Sequence, residues 1–520
     1  MSFNLTAQKW IPVVDSAQRR QELSLIELFQ TWHQWQDIQA DNPPTTLALY
    51  RFLLAILHRV YQGPHDPDHW EEIHQDNGQQ VITYLQEQAP CFDLLHAENP
   101  FMQDPALSAD KAVPIYLLHT MSTTNVFCHK HEWSGYSLSL AETARMLVRL
   151  QSVDITSLRA FYPQQTKGNR SAVNTPPINA ANVLIQSTSL QQTLLFNLMQ
   201  YSPEDETPSS LTGEDLPAWE TSYAGKPQKV SPHGYISYLA YPWRRLRVFF
   251  TADSADRINI TMGNSLPDKV SPSLWECGIA YDDGKPLRLS LERQLWRNAH
   301  SFLYSAKKSK RPEILTWLAE LRQAQLCQED LAKDIVRFNV FGMCANQAKP
   351  LGWAIEQFAA PTLYLIEEQL AQALSKAIAI AESHQQVFRS FRGSPYYALT
   401  EVLKHNDAAS LAKSLDGESR YWATLDRKFQ DLLSDELPRD KTDIGGTTVY
   451  GNKALPLWTA TVQKAAEDAF TASILSIRNY EARAKALRTL AYHLRKLRGE
   501  DDPSDKKKKS SKARKSGKAA

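Results

Sequence analysis

At 520 residues the chain is too long to enclose one hydrophobic core, so two or more domains are expected. A content of 42% hydrophobic and 22% charged residues belongs to a folded globular protein, and with no apolar run of about 18 residues and no charged-then-apolar amino terminus, a membrane span and a signal peptide are both excluded and a cytoplasmic protein is predicted. Of the 58 Lys and Arg residues, eight fall between Lys506 and Lys518, leaving 50 against 57 Asp and Glu, so the net charge of +1 hides a body of about −7 that binds nucleic acid only through local patches or the tail.

The opening residues, Phe3-Asn4-Leu5 and then Trp10 to Val14, read as a strand pair entering a helix over Leu23 to Phe29. A second helix is predicted from Thr45 to Tyr61, after Pro43 and Pro44, with Leu47, Leu49, Phe52, Leu53, Ile56 and Leu57 on a broad apolar face. The following loop holds His65 and Asp66, a pair suited to metal hydrolysis; lying between prolines, it reads more simply as a solvated loop. The segment Phe92 to Gln103 reads as a packed connector. Then comes Thr123 to His131, ahead of a helix announced by the capping box Ser139-Leu140-Ala141-Glu142 and expected to bury Leu140, Ala144, Leu147 and Leu150. Cys128, His129 and His131 are metal-ligand types spaced too tightly to close a tetrahedron alone. With Asn125, Phe127 and Lys130 they also make the mixture that nucleic-acid contacts use.

The stretch Gln164 to Pro177 is loop-like, and a helix follows from about Leu190 to Met199. Between Ser202 and Lys229 the density of Pro, Ser, Thr and acid predicts an exposed linker. Arg245 to Thr251 and Arg257 to Met262 alternate as two strands joined by a polar turn, whose basic residues read as solvated surface, with Lys269 just beyond. The run Ile335 to Phe341 also alternates, and leads into a polar tip, Gly342 to Lys349. Asn346 and Gln347 carry amides that donate and accept at once, which suits base edges, and Lys349 suits phosphate; an ordinary polar hairpin is the plainer reading. From Pro361 onward, apolar stripes at helical spacing begin at Leu363 and recur over Tyr397 to Leu415, Tyr421 to Leu433 and Leu457 to Leu497, with a break near Arg478-Asn479. They predict an antiparallel helical bundle. The tail reads equally as disordered and phosphate-seeking or as solubilising. The five cysteines (Cys91, Cys128, Cys277, Cys327 and Cys344) contain no C-x-x-C pair, and no nucleotide-binding or hydrolase motif occurs, which moves the weight toward a binding subunit.

Four stretches in this order and spacing carry a resemblance: Asn4-Leu5 with Trp10-Ile11-Pro12-Val13; His96-Ala97-Glu98-Asn99-Pro100-Phe101-Met102-Gln103; Thr124-Asn125 with Phe127; and Asn346-Gln347-Ala348. The chain resembles the CasA family, the large subunit of the type I-E CRISPR surveillance complex Cascade. The resemblance implies an α+β protein, with a mixed α/β domain over residues 1–358, a four-helix bundle over 359–500 and a basic disordered tail over 501–520. It implies no catalytic residue, metal or cofactor. The subunit would sit beside the 5′ end of the CRISPR RNA among the backbone, small and guide 5′-end subunits, recognise the motif flanking a double-stranded DNA target, start strand separation, and help recruit a helicase-nuclease. By position, Gln347 would be the wedge, flanked by Asn346 and Ala348. Lys269 would reach the minor groove, and the loop Asn125, Phe127, Cys128, His129, Lys130 and His131 would dock on the guide RNA. The family's glycine-rich contact loop keeps only Gly168 between Lys167 and Asn174. Two other function classes stay open from the residues alone: a metal-dependent hydrolase using His65, Asp66, Cys128, His129 and His131, and a protein-only scaffold.

Overall fold

The computed structural model describes residues 2–119, 135–163, 171–221, 226–268, 270–272, 275–304, 310–326, 334–346, 349–405 and 407–499. It divides into two compact units, Met1–Thr362 and Leu363–Ala520.

In the first unit, Ile11–Val14 pairs antiparallel with Arg20–Leu23 and with Asp37–Ile38. The expected partner, Phe3 to Leu5, instead makes a single bridge from Asn4 to Asp93. The Asn4 side chain is occupied within its own turn, accepting from Thr6 N at 3.0 Å, so a local side-chain bond displaces the strand there. The helix Leu25–Thr31 starts at a full capping box of Ser24 and Glu27. The long helix starts at Pro43, earlier than predicted, because Asn42 caps it and a proline in the first turn forfeits no helical hydrogen bond. Pro43–Tyr61 is buried around most of its circumference and is the element on which the unit packs. The His65-Asp66 loop is exposed at both residues, as expected, though both are tethered. Asp66 caps the helix Pro67–Asp76 by accepting from His69 N at 2.8 Å, and the His65 ring meets the Tyr201 carbonyl at 2.9 Å.

Arg244–Thr251 and Ser254–Met262 form the predicted hairpin, joined at the flanks of the second strand by Val113–Pro114 and Leu138–Ser139. Their inner face meets the helix Leu140–Ser152 in a core that includes Leu94, Ile115, Leu147, Leu150, Leu246, Val248 and Ile258. The Ser139–Glu142 capping box forms as predicted; Leu140 is only half-buried, at the edge of that core. The helix after Ser189 is shorter than expected, Leu190–Phe196.

The Ser202 to Lys229 segment is exposed at Glu204 to Glu206 and Ser210 to Glu214, as expected of a linker, but is anchored into the unit elsewhere. Ser202, Asp215, Ala218 and Trp219 are buried, and Trp219 packs edge-on against Phe52 with centroids 5.2 Å apart. Glu220 pairs with Arg59 at 2.9 Å and Asp215 accepts from Ile236 N and Ser237 N at 2.9 and 2.7 Å. Asp215 and Glu220 are thus a cap and an ion-pair partner, while Glu204, Asp205, Glu206 and Glu214 are exposed.

In the second unit, the stripe over Tyr397 to Leu415 is two helices, Pro395–Leu403 and Ala408–Leu415, separated because Asp407 caps the second. Gly417–Asp431 and Ala454–Ser473 follow, and the break near Asn479 is a helix cap that opens Tyr480–Leu497. Tyr421 Oη donates to the Ala381 carbonyl and Tyr364 Oη to that of Leu433, so Glu368–Gln385 runs antiparallel to Gly417–Asp431. A short hairpin, Lys441–Ile444 with Thr447–Tyr450, interrupts the helices and was not legible as a stripe. The basic tail lies outside the described residues.

Candidate nucleic-acid interface

The strand Ile335–Asn346 pairs antiparallel with Lys349–Pro361, closing with Asn346 opposite Lys349. Two residues, Gln347 and Ala348, thus connect the strands. The alternation predicted over Ile335 to Phe341 holds at its start, with Val336 and Phe338 buried on either side of exposed Arg337, but Asn339, Val340 and Phe341 are then all buried. Phe338 packs against Phe358 and Phe302 with centroids 5.2 and 5.7 Å apart. On its other edge this strand pairs with Asn182–Gln186, but only from Arg337 to Phe341. Beyond Phe341 the ladder is two-stranded, with a register shift between Cys344 and Ala345. Phe341 also accepts a bond from Asn182 Nδ2 at 3.3 Å, and Gly342 passes so close to Leu289 that a Cβ there would meet its Cγ at 2.8 Å. On the return strand Leu351 is 60% exposed.

A groove of about 410 Å³ lies in the same unit. One wall is Ala172, Val173, Asn174, Pro176 and Asn179, which continue from the Gly168 segment. The other is Met262 to Asp268 and Val270, which flank position 269. Trp243 and Arg244 line it between them. The groove therefore brings the chain on either side of Lys269 together with the chain just after Gly168. The turn Pro176–Asn179 links it to the hairpin, since Asn182 Nδ2 also donates to the Pro177 carbonyl at 2.8 Å. The opposite wall is fixed by Gly263, where a Cβ would sit 2.2 Å from the Pro242 carbonyl.

Below the groove is a charge cluster that sequence reasoning missed. Asp154 Oδ2 accepts from Arg159 Nη2 at 2.6 Å and from Arg244 Nε at 2.7 Å, and all three side chains are buried. Burial pushes the Asp154 carboxyl upward, but Arg244, Arg159 and Arg149 outweigh it and hold it below the usual carboxylate value. Burial in turn pushes the Arg149 and Arg159 guanidinium groups below their ordinary value. Arg244 Nη2 donates to the Val173 carbonyl at 2.7 Å, so the cluster holds the groove wall from beneath. Arg245, expected on a solvated face, is buried, and so is Arg244 just before it. A signal was present: adjacent strand residues face opposite sides, so an Arg-Arg pair must send one member inward.

Of the residues singled out by resemblance, Asn346 lies on the described strand, paired with Lys349. Gln347, Ala348, Lys269, Gly168 and the loop residues Asn125, Phe127, Cys128, His129, Lys130 and His131 lie outside the described residues. Among the described residues no group of three His, Cys, Asp or Glu side chains stands together to hold a metal, and no helix is long and apolar enough to cross a membrane.

The family model for CRISPR-associated protein Cse1 matches residues 4–469. The chain belongs to the Cse1 family. This agrees with the CasA resemblance, and a curated relative, CRISPR-associated protein CasA/Cse1 of Thermus thermophilus, is 28% identical over 492 residues, covering 88% of this chain and 92% of the relative. The fold is similar to that of Thermobifida fusca Cse1, with a TM-score of 0.77 and 23% identity over 96% of this chain and 98% of that one. It is also similar to a chain of a CRISPR RNA-guided surveillance complex, with a TM-score of 0.75 and 20% identity over 95% of this chain and 99% of that one. For a Cse1-family chain, the mixed helix-and-sheet architecture with a helical carboxy-terminal unit is thus the expected one.

Proposed function

We propose that this protein is the noncatalytic large subunit of a type I-E RNA-guided surveillance complex, working in the cytoplasm with a CRISPR RNA and the other Cascade subunits. It reads the motif flanking a target in double-stranded DNA, begins strand separation, and helps recruit the helicase-nuclease. The observation that carries the reading is the hairpin: in a Cse1-family chain, a ladder outruns its third strand and closes on two residues, Gln347 and Ala348. Entering beside a base pair would cost a few kcal/mol of unstacking, which groove and phosphate contacts must offset. The walls flanking Lys269 and following Gly168 meet in one groove, which gives those two segments a common place to act. The minor groove distinguishes little beyond A·T from G·C, so recognition there tolerates several flanking sequences and leaves target specificity to the guide RNA. Asn125, Phe127, Cys128, His129, Lys130 and His131 are the proposed guide-RNA dock.

The test uses the assembled complex with its guide. Lys269→Ala is expected to weaken binding of a correctly flanked duplex by about tenfold, in line with loss of one groove contact. Gln347→Ala is expected to leave initial binding closer to normal and to slow strand opening, read from a fluorescent base analogue beside the motif. Unchanged binding and opening in both variants would sink this mechanism.

A further inference from the structure

We infer that the Leu363–Ala520 unit carries a nucleic-acid surface of its own, a platform for a single strand formed where the turn after Gln386–Phe388 meets the last helix. The two segments touch through His493: its Nε2 lies 3.0 Å from the Gly393 carbonyl, and its ring contacts Phe391 and Tyr492 edge-on, at 5.8 and 5.7 Å. Phe391 is 44% and Tyr492 37% exposed, so two aromatic rings flank one histidine at the surface. Cations surround them. Arg392 is exposed beside Phe391, and Arg488, Tyr492 and Arg495, at i, i+4 and i+7, share an exposed helix face. Neither segment contains an acid: none occurs between Glu382 and Glu401, or between Glu481 and Glu500.

Cations near a helix carboxy terminus also complement its dipole and aid solubility. Those roles do not call for exposed aromatic rings among the cations. Nor is every basic residue of the helix open: Lys485 is paired with Glu401 at 2.8 Å and Arg483 stands over Tyr480 at 4.7 Å, both nearer the opposite end. What remains around His493 is the combination that single strands require, rings for base stacking and guanidinium groups for phosphates, without dependence on sequence. A duplex hides its base faces and can use only the cations. The inference concerns the second unit alone and does not depend on the motif-reading role of the first.

The test is fluorescence anisotropy of the full chain with labelled oligothymidylate of about 15 nucleotides, a site size within the usual range, over a salt series. The expected result is binding that Phe391→Ala/Tyr492→Ala weakens at least about fivefold. Arg392→Glu/Arg495→Glu should weaken it further and flatten the log–log salt slope by about 1.4, the value for two phosphate contacts on a single strand. A duplex of equal length should be insensitive to the aromatic pair. Lys413→Glu, an exposed cation on another helix of the unit, should change little, and the basic tail is common to every variant, so its attraction cancels. The proposal is overturned if the aromatic pair leaves affinity within about twofold, or if Lys413→Glu weakens binding as much as the arginine pair does. Thermal melts guard against misfolding, which is not expected for side chains this exposed.

Discussion

Replacing Asp154 with asparagine isolates the charge beneath the groove without changing shape. The carboxylate receives two guanidinium contacts, 2.6 and 2.7 Å, from side chains that are almost wholly shielded from water. Removing one partner of a buried ion pair costs about 3–5 kcal/mol, because the remaining charge is left uncompensated. Here two arginines are left, and Arg149 adds a third positive charge nearby, so the upper part of that range is expected. Urea unfolding of the full chain at pH 7 measures it, with amide exchange along Arg244–Thr251 assigning the loss to the first unit. The pH dependence has a definite sign. The folded carboxyl is held below its ordinary 3.8, so its contribution is complete above about pH 4 and is lost as pH falls through the folded value; Asp154→Asn should lack that acid-side loss. A destabilisation below about 1 kcal/mol at pH 7 would refute the view that this carboxylate neutralises the cluster.

Two further outcomes follow from buried groups in the same unit. Burial holds the His58 imidazole down to about 4, against a weaker opposing bond to the Gly63 carbonyl. The folded state therefore binds this proton less readily than the unfolded one, stability should fall by up to about 3 kcal/mol as pH drops from about 6.5 to 4, and His58→Gln should flatten that part of a melting-temperature profile. Trp219→Ala removes a ring packed on Phe52 and Phe92 and a 2.9 Å bond to Tyr84 Oη. It should cost about 3–5 kcal/mol and open Ser202 to Thr221 to limited proteolysis; a protease-resistant variant would contradict the packing described for this segment.

The parts of the fold legible in the sequence are those whose signal is local. Ser139 with Glu142 announces a helix because both halves of the cap lie within one turn, and Asn479 marks a helix start for the same reason. The alternation of Val336, Arg337 and Phe338 reports one buried face at the start of the strand, before Asn339 and Phe341 are buried on the other. What was missed depends on distant partners. The Ser202 to Lys229 stretch has the composition of a linker, yet Asp215, Trp219 and Glu220 each find a partner far away in sequence. A composition window averages such residues away. Arg244 could not be tied to Asp154 from sequence, because the two are 90 residues apart. The groove is built from two segments that neither periodicity nor spacing relates; only folding brings Val173 and Pro267 to one cavity.

The third strand stops opposite Phe341, yet the two remaining strands stay packed beyond it, with Gly342 against Leu289 and Cys344 buried. The packing that holds the hairpin therefore reaches at least to Cys344. The base of the hairpin is set where Phe302, Phe338 and Phe358 pack and where Asn182 grips Phe341. Loosening that base would disturb the strand pairing without altering Asn346 or Lys349.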